Sequence, residues 1–165
     1  MTVDVQVDLS PLLAELGDDV VVTDPDRMDK YRWDRANDPD AGIPLAVVRA
    51  ESTEQVQAAV RFAAAHGVPV VPRGAGSGLS GGASAVPGCL VISTERMTAI
   101  EIDPVTRTAV VQPGLMNAQV KAAAAEHDLW YPPDPSSYEI CSIGGNIATN
   151  AGGLCSVKYG VTTDY

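Results

Sequence analysis

The hydrophobic pattern divides the chain into a sparse first quarter and a regularly patterned remainder. Residues 10–17, Ser-Pro-Leu-Leu-Ala-Glu-Leu-Gly, predict a short helix with Ser10 as its cap, Pro11 in its first turn and Gly17 at its end. Residues 20–22 form a small apolar run. Residues 24–40 are polar, broken by Pro25 and Pro39, and predict an irregular surface segment. The pattern changes near Ile43. Residues 44–49 read as a buried strand. Ser52 or Thr53 then caps a helix running to about Ala65, with Val56, Ala59, Val60 and Ala63 as its apolar face and Gly67 as its terminator. Residues 68–71 form the next strand. A strand, a helix and a strand with short joins make a βαβ unit, so these two strands are expected to be parallel.

Residues 89–93 predict a third strand. Residues 99–103 and 108–112 flank the turn Pro104-Val105-Thr106-Arg107 and predict a hairpin. Residues 117–127 are alanine-rich and predict a helix capped by Asn117. Residues 131–137 carry three prolines, which lack a donor and fix φ, so regular structure is excluded there. A stretch of small residues follows at 142–153. The order of elements predicts an α+β fold. A small parallel sheet with one helix comes first, and a more antiparallel sheet with the second helix follows.

Composition narrows the function classes. At 165 residues, 45% hydrophobic and 19% charged, the chain fits one ordinary soluble globular domain. Its net charge is −10, and residues 1–40 hold eleven Asp and Glu against four Lys and Arg. We divide it accordingly into an acidic segment, 1–42, with a short helix, and a domain at 43–165. No basic face is available for a nucleic acid. Cys89, Cys141 and Cys155 make no Cys-x-x-Cys pair, so neither a zinc site nor a disulfide framework is indicated. Buried reduced thiols suit a cytoplasmic protein. No secretory leader is visible in residues 1–10, and no apolar run reaches the length of a membrane span.

The candidate chemistry lies in Val70-Val71-Pro72-Arg73-Gly74-Ala75-Gly76-Ser77-Gly78-Leu79-Ser80-Gly81-Gly82. Five of the fifteen glycines fall in this run, directly after a strand. Glycine lets backbone N–H groups approach a ligand, and successive inward N–H groups form a nest for phosphate. A flexible surface loop is the plainer alternative. The P-loop pattern fails, because no lysine follows the glycines. Gly76, Gly78 and Gly81 match the dinucleotide pattern G-x-G-x-x-G only formally, because no helix begins within them. A protein-kinase glycine loop fails as well. An extended loop between two strands remains, with a second small-residue stretch about seventy residues later. Two such stretches can grip the two ends of a dinucleotide.

Five motifs in one order carry a resemblance. They are residues 72–82, Val111-Gln112-Pro113-Gly114, Pro133-Asp134-Pro135-Ser136-Ser137, Cys141-Ser142-Ile143-Gly144-Gly145-Asn146 with Asn150-Ala151-Gly152-Gly153, and Lys158-Tyr159-Gly160. Together they resemble the FAD-linked oxidases of the vanillyl-alcohol oxidase and p-cresol methylhydroxylase (PCMH) type. The glycolate oxidase FAD subunit and D-lactate dehydrogenase branch is the most similar. The resemblance runs from about Pro44 to Tyr165. It implies the PCMH-type fold, incomplete at the carboxyl end, and oxidation of a 2-hydroxy acid such as glycolate or D-lactate. A non-catalytic FAD module or split subunit needing a partner chain is the alternative, and an open sheet edge would favour association.

The resemblance also implies site residues. Arg73, Gly74, Ala75, Gly76, Ser77 and Gly78 would wrap the FAD pyrophosphate, with Ser80 adding a hydroxyl. Pro135 and Ser137 would lie along the cofactor. Ser142, Gly145, Asn146, Thr149 and Gly152 would line its flavin and ribityl side. Arg73 reads alternatively as a surface ion pair, and Asn146 and Asn150 as capping or turn residues. Some relatives attach FAD through a histidine in the first loop. Ser77 and its neighbours include none, so non-covalent FAD is expected. His66 and His127 fall at predicted helix ends. No catalytic residue and no metal site is assigned, because the family's substrate-handling motif has no counterpart in this chain.

Overall fold

The computed structural model describes residues 7–165. The stretch read for a secretory leader therefore lies mostly outside the described residues. Six strands and six helices follow in order: α1 (Ser10–Leu16), β1 (Val21–Val22), α2 (Pro25–Met28), β2 (Ala46–Arg49), α3 (Thr53–His66), β3 (Val70–Arg73), β4 (Leu90–Ser93), β5 (Ile100–Asp103), β6 (Thr108–Val111), α4 (Asn117–Ala125), α5 (Ile143–Thr149) and α6 (Ser156–Tyr159). The class is α+β, as expected.

The first sheet has the order β1-β2-β4-β3. β2 and β3 run the same way, but they do not touch. β4 lies between them and pairs in parallel with both, at Val47↔Val91 and Val71↔Val91. β1 adds antiparallel to β2, at Val21↔Val48. Alternation along β2 and β4 supplies two cores. Ala46, Val48, Leu90 and Ile92 face α1 and α3, where Leu12, Ala59, Phe62 and Ala63 cover them. Val47, Val91 and Val71 face the other way and meet Val22, Met28, Tyr31 and Cys89. Pro72 sits in β3, an edge strand, where its missing donor is tolerated.

Several local expectations hold and several shift. Ser52 caps α3 by accepting from Gln55 N–H, and Gly67 ends it in the left-handed region at φ 64°. The buried face of α3 is Ala58, Ala59, Phe62 and Ala63, whereas Val60 is exposed. Ser10 does not cap α1. The cap position belongs to Leu9, and the Ser10 N–H donates to Asp8 Oδ1 at 2.9 Å. Residues 24–40 are not merely surface. Asp24 caps α2 by accepting from Asp26 N–H, and a 3₁₀ turn at Asp29–Tyr31 carries Tyr31 into the second core. A capping Asp followed by Pro was the available signal.

Tyr31 is then clamped by charge. Its hydroxyl donates to Glu95 Oε1 at 2.6 Å, and Arg49 Nε donates to the same oxygen at 2.6 Å. Burial and the bond to Glu95 push the Tyr31 hydroxyl up to about 12. Burial alone would raise Glu95. The bonds from Tyr31 and Arg49 outweigh it and hold the carboxyl below its usual range. A depressed carboxyl contributes stability that is present above the unfolded pKa, about 4.3, and lost as pH falls through the folded value. Melting curves taken from pH 7 downward should therefore show a shallower acid limb for Glu95→Gln than for the natural chain. A Glu95→Gln limb as steep as the natural one would remove Glu95 from the acid response.

The second layer is smaller. β5 and β6 form a two-stranded antiparallel hairpin with Ile100↔Val111, and its turn places Arg107 at φ 59°. Leu115, Val120 and Ile143 pack beneath it with Ile100, Val111 and Tyr131. An isolated bridge, Met116↔Ser142, ties the start of α4 to the start of α5. Asn117 is not the cap of α4; Met116 holds that position. Asn117 is fully buried, and its amide donates to Pro133 O at 3.2 Å and Asn146 Oδ1 at 3.0 Å.

Candidate functional site

The first glycine stretch leaves β3 at the carboxyl end of the parallel sheet and runs from Gly74 to Ala83 before returning to β4. The second stretch folds as α5, a helix that propensity argues against because Gly144 and Gly145 lie in its first turn. Close approach explains Gly144. A β-carbon on Gly144 would stand 2.7 Å from Pro113 Cβ, and Gly144 N–H donates to Pro113 O at 2.8 Å. Ser142 caps α5 and joins the two stretches. Its Oγ accepts from Ala75 N–H at 3.3 Å and from Gly145 N–H at 3.4 Å. Both lone pairs are committed, and the hydroxyl proton remains free to donate.

Between the stretches lies a cavity of about 530 Å³. Its wall contains Arg73, Gly74, Ala75, Gly76, Ser77, Gly78, Ser80, Pro135, Ser137, Ser142, Gly145, Asn146 and Thr149. Gly152 is the one sequence candidate outside it; a β-carbon there would meet Val161 and Ser156 instead. A second cavity, about 380 Å³, lies under the hairpin among Ile102, Val111, Val120, Trp130 and Tyr165, and contains none of these candidates.

The wall of the larger cavity suits an extended anion. Among the described residues, the backbone N–H groups of Gly76, Ser77, Gly78, Leu79 and Ser80 have no acceptor within the protein, nor do the Ser77 and Ser80 hydroxyls. Gly78, Leu79 and Ser80 are exposed and Gly76 and Ser77 half-buried, so water can satisfy these donors and an anion can displace it. Gly76 holds φ 68°, where side chains are strained, so the turn that presents these groups needs glycine.

Other candidates serve the frame. Arg73 is 9% exposed, and neither a surface residue nor an ion-pair member. Its guanidinium donates to Ala83 O at 3.1 Å, Lys30 O at 3.2 Å and Tyr31 O at 3.4 Å, with the Tyr31 ring 5.8 Å away. Burial lowers its pKa, opposed by the charge of Asp34, but a guanidinium stays protonated. The Asn146 amide faces Asn117 and Cys141, and Thr149 Oγ1 donates to Gly145 O at 2.9 Å. Asn150 closes α5 in the left-handed region at φ 48°, the capping role open to it in the sequence. Asp134 accepts from Cys155 N–H at 3.0 Å and anchors the proline segment. His66 Nδ1 bonds the carbonyl of Phe62 at 2.8 Å, as its helix-end position suggested.

Asp34, Thr94, Pro113 and Cys141 also line the cavity and were not singled out as site residues in the sequence. Pro113 and Cys141 lie inside the quoted motifs. Asp34 carried no local signal, because its place in the wall depends on partners fifty residues away.

The sequence profile described as an FAD binding domain matches residues 44–165. The chain is 49% identical over 120 residues to the glycolate oxidase subunit GlcD of Escherichia coli K12, covering 72% of this chain and 24% of that protein. It is 41% identical over 140 residues to a D-lactate dehydrogenase of Archaeoglobus fulgidus, covering 83% and 31%. Among solved structures, p-cresol methylhydroxylase superposes with a TM-score of 0.72 at 26% identity, covering 85% of this chain and 28% of that one. This chain belongs to the FAD-binding-domain family and has the PCMH-type fold, with FAD as its cofactor. It spans between a quarter and a third of the length of these relatives.

Proposed function

We propose that this FAD-binding domain is the cofactor-holding part of an oxidoreductase that oxidises a 2-hydroxy acid such as glycolate or D-lactate, with FAD held non-covalently. The observation that carries the reading is the cavity between the two glycine stretches, with its unpartnered N–H donors, in a chain whose relatives are named for those substrates. Bound FAD supplies the redox chemistry, accepting two electrons as a 2-hydroxy acid becomes a 2-oxo acid. The chain's own work is binding and orientation. The N–H groups of residues 76–80 would take the diphosphate, the Ser142 hydroxyl would add a donor at the start of α5, and the glycines would let backbone approach the cofactor.

Non-covalent attachment is supported by the wall's side chains. Among the described lining residues there is no histidine or tyrosine, and the one thiol, Cys141, is buried against the Asn146 amide. The groups that hold and deprotonate a hydroxy acid are assigned to the rest of the protein. The chain by itself is therefore expected to bind FAD and to turn nothing over. Among the described residues no helix is long and apolar enough to cross a membrane. A reducing cytoplasmic setting fits the free thiols.

Purified chain tests the cofactor claim. FAD uptake should give flavin absorbance that moves wholly to the supernatant on acid precipitation. Flavin left in the pellet would show covalent attachment, and a protein that takes up no FAD sinks the reading. The full-length protein, assayed with glycolate and D-lactate and an artificial electron acceptor, tests the substrate class. Activity with neither would leave only the binding module.

A further inference from the structure

We propose that Asp34 is part of the FAD site: its Oδ2 accepts a hydrogen bond from a hydroxyl or N–H group of the cofactor beside Gly78. The proposal rests on the reading of the larger cavity as the FAD site.

Asp34 comes from the acidic segment before β2, far from both glycine stretches in sequence, and is 6% exposed. Its two oxygens have different surroundings. Oδ1 accepts from the Ala36 N–H at 2.9 Å and from the Ser84 hydroxyl at 3.3 Å. Oδ2 has no hydrogen-bond partner and no ion-pair partner among the described residues. A β-carbon on Gly78 would stand 3.7 Å from Oδ2, so this is the oxygen turned to the glycine loop. The Arg35 N–H donates to Gly78 O at 2.9 Å and holds that placement. Arg73 does not neutralise the carboxylate directly, because its guanidinium is engaged by three carbonyls.

Among the described residues the fully buried polar side-chain atom without a partner is Asn117 Oδ1, so Asp34 Oδ2 is not sealed off: it opens on the cavity, where it is free to take a donor. The free backbone N–H groups of the loop give, and suit phosphate oxygens. Asp34 Oδ2 only takes, and repels them. FAD carries both kinds of group, a diphosphate that accepts and hydroxyls and ring N–H groups that donate. The two signs on one wall therefore keep the diphosphate off Oδ2 and favour one of the cofactor's donating groups there, with the diphosphate displaced along the loop.

Asp34→Asn reverses the free atom and little else. The amide oxygen keeps the Ala36 turn, and the free position becomes an N–H donor. FAD dissociation constants are measured by titrating the apo chain, with the apo melting temperature beside them. FAD binding should weaken about tenfold or more, as expected for losing a hydrogen bond to a charged acceptor, while apo melting changes little. If the diphosphate lies against Oδ2 instead, Asn relieves a repulsion and adds a donor, and binding tightens. Unchanged or tighter binding overturns the proposal. Should Asp34→Asn not fold, Asp34→Ser keeps the turn through its hydroxyl and deletes the free oxygen; unchanged FAD affinity in that variant overturns the proposal equally. The natural chain is the reference, and its failure to take up FAD would overturn the site reading itself, and the Asp34 assignment with it.

Discussion

A Gly76→Val chain should purify without flavin and bind added FAD at least a hundredfold more weakly. Two effects act together. Gly76 sits at φ 68°, and a β-branched residue in that region costs about 1–2 kcal/mol or more. The new side chain would also run into the Arg73 guanidinium, which is held by three carbonyls and cannot swing aside without leaving them unpaired. The loop must then move, and its row of free N–H groups moves with it. Gly81→Ala is the matched control. Gly81 also has a positive φ, 76°, but nothing lies within 4 Å of its missing β-carbon. That variant should lose about 1 kcal/mol of stability and keep its FAD. Fluorescence titration of the two apo proteins separates the cases. Equal FAD affinity in Gly76→Val and the natural chain would show that this loop is not the diphosphate cradle.

Arg73→Met should be the most destabilising single change in the cofactor wall. The Met chain keeps the apolar stem and removes every donor, so the carbonyls of Lys30, Tyr31 and Ala83 lose their partner. The stranded Tyr31 carbonyl is buried and costs about 1–3 kcal/mol, and the part-buried carbonyls of Lys30 and Ala83 add less. Removing a buried cation returns part of that through its desolvation. A net loss of about 2–3 kcal/mol follows, or roughly 5–10 °C in melting temperature for a chain of this size. FAD affinity should fall as well, because the guanidinium is the floor under Gly76 and the link from the loop to the Asp29–Tyr31 turn. Arg73→Lys, a donor of different shape, should recover part of the stability and little of the affinity. A Met variant that melts with the natural chain would mean that water replaces the guanidinium without cost.

The resemblance of residues 72–82 to an FAD loop was legible because the motif is contiguous and its chemistry is backbone chemistry. What Arg73 does there was not legible. A sequence shows a cation beside glycines, which suggests a ligand contact. Two of its partners are carbonyls some forty residues earlier, at Lys30 and Tyr31, set by a turn that packs against Val71 on the same face of the sheet. The caps of α3 were legible because Ser52 and Gly67 act within one turn of themselves. The helix α5 was hidden for the opposite reason. Its two glycines depress propensity, and Gly144 is required because Pro113 lies against it, which is a tertiary fact. Asn117 illustrates the same limit. As a residue type it favours a cap, yet here it is drawn inward by Pro133 and Asn146.

The strand order of the first sheet governs when the cofactor loop can take shape. β4 is the central strand, yet it is the last of the four in the chain. During synthesis from the amino end, β1, β2 and β3 emerge with no common partner between β2 and β3, and the parallel sheet cannot close until Ser93 has left the ribosome. The loop at 74–83 is the first part of the connection, residues 74–89, that delivers β4 to its slot. Its ends are pinned only when β4 enters, so the first wall of the FAD cradle is set together with the sheet, and the second wall waits until Ser142 has emerged to accept from Ala75 N–H. Nascent chains ending before β4 should therefore have no affinity for FAD, although they already contain every glycine of the loop.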